Sequence, residues 1–295
     1  MGAGAQLVAM MFTCLIAIVF GFANVLWRPY IYTTMMVILA LVGFINGYVT
    51  SRCLKFFGTT DWNFSATISA FALPLVITGA CGFELFFAWI SKSAIRYSFK
   101  TNLMRMIGWY LLNGIMCYIG AYRGYIQPAT PVPSAVGKVP RPQPDLPYHM
   151  NIFFIAPIFG FIQFASMYAE FSYLVDSIFK SHMYAMFGFL LVNFILQVII
   201  IGLLSVLQTY MQLCYQNYEW WWRSFIVGAS GAIYMAGYSL LYLVTRGSIG
   251  DFSNDVCFLL YCGLFIGCYG LAAGVISVQA SNMFVSKIYS NLRSD

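Results

Sequence analysis

The chain has 295 residues, of which 61% are apolar and only 8% are charged, with a formal net charge of +6. A water-soluble domain of this size carries about 25% charged residues, so these few charges cannot cover a solvent-exposed surface. The mean hydropathy is +0.79. The composition therefore excludes a soluble globular protein and predicts an integral membrane protein.

Apolar runs long enough to cross a bilayer, which takes about 20 helical residues, occur throughout the chain. The runs are continuous rather than alternating, which favours helices over barrel strands. We therefore expect residues 1–295 to form a single multispanning domain, an all-α bundle of eight transmembrane helices. The spans lie near 6–27, 30–51, 64–90, 106–122, 151–175, 183–210, 224–245 and 256–286, and the run at 106–122 is the shortest.

Two of the predicted spans contain glycines spaced four residues apart. The second span has Gly43 and Gly47, and the last span has the pairs 263/267 and 270/274. Small residues at this spacing let two helix backbones approach closely in lipid. We expect the first pair to permit close helix contact and the two pairs of the last span to form a smooth packing ridge.

Polar side chains interrupt the third and fifth spans. The third carries Glu84, and the fifth carries Gln163 and Glu170, whose seven-residue separation places them on one helix face. A carboxylate at membrane depth is costly, which makes it a functional candidate by default. Together these residues would form a polar track through the bundle. Alternatively, each glutamate is a protonated structural residue that donates an interhelical hydrogen bond.

Two loop regions have unusual composition. Lys92, Arg96 and Lys100 recur every four residues beside an apolar stripe, which predicts a basic amphipathic helix at the interface over 92–105. It would hold anionic lipid or a phosphorylated ligand, or simply form a solvated face. Residues 125–150 are rich in proline and predict an extended loop, either for recognition by soluble partners or as a spacer.

A cluster of three tryptophans lies between the sixth and seventh apolar runs. Trp220, Trp221 and Trp222 are followed directly by Arg223. Tryptophan rings favour headgroup depth, and an adjacent arginine reaches phosphate oxygens. The segment predicts a short turn anchored at a membrane face. An ordinary aromatic belt has the same chemistry, so the pattern leaves both interpretations open.

Catalytic and metal-binding signatures are not found in the sequence. The eight cysteines contain no CxxC pair, and His149 and His182 are isolated, so we expect no metal site and no cofactor. The sequence has no GxSxG and no paired-aspartate motif, which argues against an enzyme. Basic residues divide eight to seven between the two predicted faces, so charge does not decide the orientation.

The motif YEWWWR at residues 218–223 resembles the nonaspanins, also called the transmembrane-nine superfamily. Other stretches resemble the same family in the same order: residues 2–7, 47–62, 183–190 and 287–290, with a looser match at 138–144. The resemblance covers nearly the whole chain. It corresponds to the carboxy-terminal multispanning part of those proteins, which in the family follows a signal peptide, a large lumenal domain and a first span.

The resemblance implies a non-enzymatic protein of Golgi and endosomal membranes, with a cytosolic carboxy terminus, that assists the sorting and localisation of other membrane proteins. Its partners would be membrane lipids and the transmembrane segments of cargo proteins, and no nucleic acid is expected. The family tail, Lys-x-Asp/Glu, is read by the COPI coat. Here the tail has Arg293 and Asp295, and arginine replaces a compact ammonium with a planar fork.

The alternative is a small-molecule or ion transporter that uses Glu84 and Glu170. Inverted repeats would support it, and none is visible in the sequence. The acidic position that the family carries in the following span corresponds to Leu203 here. Loss of that acidic pair counts against a proton-coupled carrier.

Overall fold

The computed structural model describes residues 1–22, 28–58, 61–90, 99–128, 147–180, 186–246 and 252–291. These residues form a helical bundle, which confirms the all-α membrane fold predicted from the composition. The α-helices of the described residues are α1 (Gly2–Val19), α2 (Arg28–Phe56), α3 (Trp62–Ile90), α4 (Phe99–Ile126), α5 (Ile152–Phe179), α6 (Phe187–Cys214), α7 (Trp220–Ala229), α8 (Gly231–Arg246) and α9 (Phe252–Asn291), with a 3-10 turn at Tyr148–Met150.

Seven segments of the described chain are long and apolar enough to cross a membrane. The helices α7 and α8 together make one of them, the 27-residue segment Trp220–Arg246. The helix α4, with 28 residues, is as long as the spanning segments but less apolar. Its first two turns include the described part of the stretch predicted as an interfacial helix, residues 99–105, which therefore continues directly into the bundle.

The helices α2 and α4 pack backbone to backbone through glycines. A Cβ atom on Gly47 would lie 1.9 Å from the carbonyl oxygen of Cys117, and one on Gly120 would lie 2.0 Å from that of Phe44. Since no Cβ is tolerated at such distances, the contact requires glycine on both helices. The close approach predicted for the Gly43/Gly47 pair is confirmed. The sequence analysis missed its partner on α4, the pair at 120 and 124.

The last span uses only one of its two glycine pairs for helix packing. A Cβ on Gly274 would lie 2.6 Å from the Phe225 ring, and one on Gly270 would lie 3.3 Å from Ala232. In contrast, the Cβ positions of Gly263 and Gly267 meet no described atom within 4 Å. The prediction of a packing ridge is therefore wrong for the first pair, because these two glycines line a cavity beside residues of α3.

A buried amide network joins α1, α2 and α4. The side chain of Gln6 donates through Nε2 to Asn113 Oδ1 and to the Leu39 carbonyl, each at 2.8 Å. Asn46 Nδ2 donates to Gln6 Oε1 at 2.9 Å and to the Ser69 carbonyl of α3 at 3.0 Å. All three amide side chains are 0% exposed. Hydrogen bonds of this kind specify which helix faces meet, since apolar surface alone does not distinguish a helix from lipid.

The same network supplies a hydrogen bond that α3 lacks at its internal proline. Pro74 lies inside the helix and has no N–H to donate to the carbonyl of Ala70. Asn113 Nδ2 donates to that carbonyl instead, at 2.8 Å. The proline is accommodated because a neighbouring helix satisfies the acceptor that it leaves.

Basic side chains of α2 cover the end of α4. Lys55 Nζ donates to the carbonyl of Gln127 at 2.6 Å and to that of Tyr125, and Arg52 donates to the Pro128 carbonyl. The last carbonyls of a helix lack helical partners, so these cations satisfy them and oppose the helix dipole. The beginning of the predicted proline-rich loop is thereby fixed to α2, whereas residues 129–146 lie outside the described chain.

Candidate functional site

The seventh span breaks where it meets α5. The carbonyl of Val227 accepts the Ser230 hydroxyl at 2.7 Å, the Ser230 backbone N–H at 3.4 Å and Gln163 Nε2 at 3.1 Å. These donors compete with the helical bond from residue 231, which accounts for the end of α7 at this point. A Cβ on Gly160 would lie 2.8 Å from Ser230 O, so α5 approaches the break closely. Gln163 thus lies at a helix discontinuity, a common setting for polar sites in membrane proteins.

A second glutamine, from α6, completes this polar centre. Gln197 Nε2 donates to the Gln163 carbonyl at 3.0 Å and to Ser166 Oγ at 2.8 Å. Both amides use their N–H groups on protein acceptors, but neither Gln163 Oε1 nor Gln197 Oε1 has a hydrogen-bond partner within the described part of the chain. We name Gln163, Ser166 and Gln197 the glutamine centre. Its two amide oxygens are buried acceptors with unused hydrogen-bonding capacity, which a donor group or a small cation would satisfy.

Of the two candidate carboxylates, Glu170 has a described side chain and Glu84 does not. Glu170 is 2% exposed and Gln163 is 0% exposed, so both are buried on the face of α5 that their spacing predicts. Glu84 belongs to α3, but its side chain lies outside the described ones. The polar track from Glu84 to Glu170 therefore stays a prediction, and the described geometry places Gln163 and Gln197 together.

Hydroxyl groups form a second buried seam between α6, α7 and α9. Ser224 Oγ lies 2.9 Å from Ser277 Oγ and 2.7 Å from Ser281 Oγ, and Thr209 donates to Ser281 at 2.8 Å. All four of these side chains are 0% exposed. Small hydroxyl residues allow close helix approach and bond across it. The seam positions α7, and with it the break at Ser230.

The turn between α6 and α7 is closed by a buried amide. Gln212 Nε2 donates to Asn217 Oδ1 at 3.0 Å and to the Glu219 carbonyl at 2.9 Å. Gln216 adopts a left-handed conformation with φ of 58° where α6 ends. The backbone N–H of Glu219 donates to Asn217 Oδ1 at 3.0 Å. The turn thus occupies residues 215–219, and the tryptophans follow it as the first turn of α7.

The predicted anchor residues face different surroundings. Trp220 is 7% exposed and packs inside the bundle, with Trp221 edge-on at 6.2 Å, whereas Trp222 is 67% exposed. Arg223 Nη1 donates to the carbonyl of Met150 at 3.1 Å, which ties α7 to the turn before α5. Anchoring at the membrane interface stays a prediction, and Trp222 is the ring positioned for it.

Several predicted features fall on residues that the structure does not describe. These include the tail residues Arg293 and Asp295, the basic residues Lys92 and Arg96, and most of the proline-rich loop. Apart from Gln163, the buried amides and hydroxyls were not among the predicted site residues. The signal was available as polar residues recurring inside apolar runs: Gln6, Asn46, Asn113, Gln197, Gln208, Thr209, Gln212, Ser224, Ser277 and Ser281.

Comparison with known families identifies the chain's relatives. Residues 1–252 match the family model described as Endomembrane protein 70. The chain belongs to the endomembrane protein 70 family. This match covers most of the chain and confirms the resemblance to the transmembrane-nine proteins. The chain is therefore an integral membrane protein of an endomembrane family.

Relatives of this endomembrane protein 70 family member come from plants and animals. It is 28% identical over 294 residues to transmembrane 9 superfamily member 8 of Arabidopsis thaliana, covering 100% of the chain and 45% of that protein. For member 10 of the same plant the identity is 30% over 292 residues, covering 99% and 45%. For member 4 of Homo sapiens it is 28% over 295 residues, covering 100% and 46%.

The chain thus spans slightly less than half the length of these curated relatives. No solved structure matches it.

Proposed function

We propose that this protein is a non-enzymatic component of Golgi and endosomal membranes that assists the sorting and localisation of other membrane proteins. The family description supports an endomembrane role. The proposal adds that the bundle contacts the transmembrane segments of cargo through its apolar surface and that its carboxy-terminal tail is cytosolic. Binding of the COPI coat through Arg293 and Asp295 is part of the same proposal.

The hydrogen bonds of the buried polar side chains favour this function over transport. The amide network of Gln6, Asn46 and Asn113 bonds four helices, and the seam around Ser224 bonds three more. These groups form their hydrogen bonds with neighbouring helices, so they stabilise a rigid scaffold rather than line a water-filled path. A scaffold with an apolar outer surface suits a protein that holds other membrane segments.

The test is localisation and partner recovery in cells. A tagged protein carrying Arg293→Ala and Asp295→Ala should leave the Golgi for later compartments, because the two charges that a coat subunit reads are removed. Ser294→Ala, between the two charged residues, serves as the matched control and should stay in place. Affinity purification in mild detergent should recover coat subunits and multispanning cargo with the control but lose the coat with the double variant. Unchanged localisation of the double variant would contradict the tail assignment.

A second candidate function, transport of a small molecule or ion, is favoured by the glutamine centre. Its two acceptor oxygens without partners in the described chain lie at a helix break, and Glu170 is buried two turns along the same face. Glu170→Gln should leave cargo localisation intact if the residue is structural. Substrate flux in liposomes that is lost in Glu170→Gln, with cargo localisation unchanged, would move the assignment to transport.

A further inference from the structure

A cavity of about 580 Å³ lies between α3 and α9, with the first turn of α1 at one end. Its walls are formed by apolar side chains and glycines, among them Ala72, Leu73, Ile77, Leu264, Gly263 and Gly267. Among the side chains that the structure describes, no charged residue and no amide lines it. An apolar cavity of this kind does not hold water, because water needs polar partners.

The cavity opens onto the outer apolar surface of the bundle. Three of its large apolar lining side chains are exposed: Val76 is 58% exposed, Leu271 is 43% exposed and Leu259 is 38% exposed. All three lie within candidate membrane-spanning segments. The outer surface at these positions faces hydrocarbon, so the molecules that can enter the cavity are those of the bilayer interior.

The walls are held apart by contacts elsewhere in the bundle. Leu73 is 5% exposed and belongs to a buried cluster with Leu39 and Trp109, which fixes the α3 wall. On α9, Gly270 and Gly274 pack against α8 and α7, as described above. The facing stretch at Gly263 and Gly267 has open space where a Cβ would be. Collapse would break the packed contacts, and an empty cavity would forfeit dispersion contacts along its lining.

We propose that this cavity binds one acyl chain of a bilayer phospholipid. The size fits: a cavity of about 150 Å³ holds the six carbons of benzene, so this one holds roughly 20 carbons, about one acyl chain. A helix from another protein has a diameter of about 10–12 Å and would have to separate α3 from α9. The acyl chain thus acts as a lipid component of the α3–α9 interface, and its headgroup lies at the membrane surface.

Photolabelling tests the proposal. The protein is reconstituted in phosphatidylcholine vesicles containing a trace of phosphatidylcholine with a diazirine in one acyl chain. Labelled peptides are then identified by mass spectrometry. Leu73 and Cys268 line the cavity, and Leu73 is nearly inaccessible from the outer surface, so a label there reports entry. Leu203 on α6, which is 66% exposed, reports general contact with lipid.

Filling the cavity supplies the decisive comparison. Gly263→Leu with Gly267→Leu should lower labelling at Leu73 and Cys268 by about tenfold or more, because the new side chains occupy the space, while labelling at Leu203 stays unchanged. The matched control is Gly108→Leu with Gly237→Leu, two other glycines with nothing within 4 Å. It should label like the wild type, and thermal unfolding of each variant verifies its fold.

Four results would overturn the proposal. The first is equal labelling of Leu73 in the filled variant, and the second is labelling in the wild type at Leu203 but not at Leu73 or Cys268. The third concerns cells: a protein cross-linker placed at residue 264 that captures another membrane protein, rather than lipid, would show a polypeptide occupant. The fourth is loss of the signal when palmitate is added to these vesicles, in which unlabelled phosphatidylcholine is already in large excess, and it would show a free fatty acid instead.

Discussion

Replacing Gly120 by alanine should destabilise the bundle, although alanine is the better helix former. The new Cβ would lie 2.0 Å from the Phe44 carbonyl oxygen, and the backbone atoms on both sides cannot rotate away. Relief therefore requires α2 and α4 to separate by about 1 Å at the point of closest approach, a form of overpacking. On α2, the adjacent Asn46 bonds to Gln6 and Ser69 at 2.9 and 3.0 Å, and these bonds would stretch as well.

The expected change in the free energy of unfolding is the balance of two costs and one gain. Overpacking costs about 1–3 kcal/mol, and weakening two membrane-buried hydrogen bonds costs about 0.6 kcal/mol each. The helix propensity of alanine returns about 1 kcal/mol. The net expectation for Gly120→Ala is a loss of about 2 kcal/mol in the free energy of unfolding, given these costs.

Gly108→Ala on the same helix provides the matched control. Its Cβ would meet nothing within 4 Å, so only the favourable propensity remains. We expect it to gain up to about 1 kcal/mol in the free energy of unfolding. The assay is thermal or denaturant-induced unfolding of the detergent-solubilised protein, followed by circular dichroism. Equal stability of the two variants, or a higher midpoint for Gly120→Ala, would refute the assignment of α2–α4 as a glycine-dependent contact.

Two further predictions concern the polar interactions. Asn113→Leu should lower the free energy of unfolding by about 1–3 kcal/mol, because the Ala70 carbonyl beside Pro74 loses its donor and Gln6 loses an acceptor. Unfolding of the double variant with Gln6→Leu should show a combined cost below the sum of the single ones, and strict additivity would argue against the network. Gln216→Gly should raise the free energy of unfolding by about 0.5–1 kcal/mol, since the exposed left-handed residue is relieved of strain. Gln216→Ala should leave the stability nearly unchanged, and a similar gain there would contradict the strain argument.

Part of the candidate site could be predicted from spacing alone. The seven-residue separation of Gln163 and Glu170 places both on one helix face, and both are buried. Their partners could not be predicted in this way. Gln197 and Val227 come from other helices, 34 and 64 residues away from Gln163, and no local pattern links them. The break at Ser230 is partly local, because the Ser230 hydroxyl bonds the Val227 carbonyl, but the second side-chain donor, Gln163, comes from a distant helix.

The glycines show the limit of sequence reasoning most directly. The spacing at 43/47 and at 263/267 is identical, yet the first pair packs against α4 and the second faces a cavity. The motif states only that a close approach is allowed. Whether a partner helix approaches depends on contacts elsewhere. For the 43/47 pair these contacts are the amide network, and for the 263/267 pair they are the packing of α9 on α7 and α8.

The sequence by itself determined that this is a membrane protein made of helices, because long apolar runs with few charges leave the backbone no other way to satisfy its hydrogen bonds in lipid. It also predicted where the long apolar runs lie. Only the tertiary structure decided which faces meet, where the bundle is bonded and where it stays open. In a bilayer, apolar surface does not distinguish a neighbouring helix from an acyl chain, so buried amides, hydroxyls and glycines far apart in the sequence make that choice.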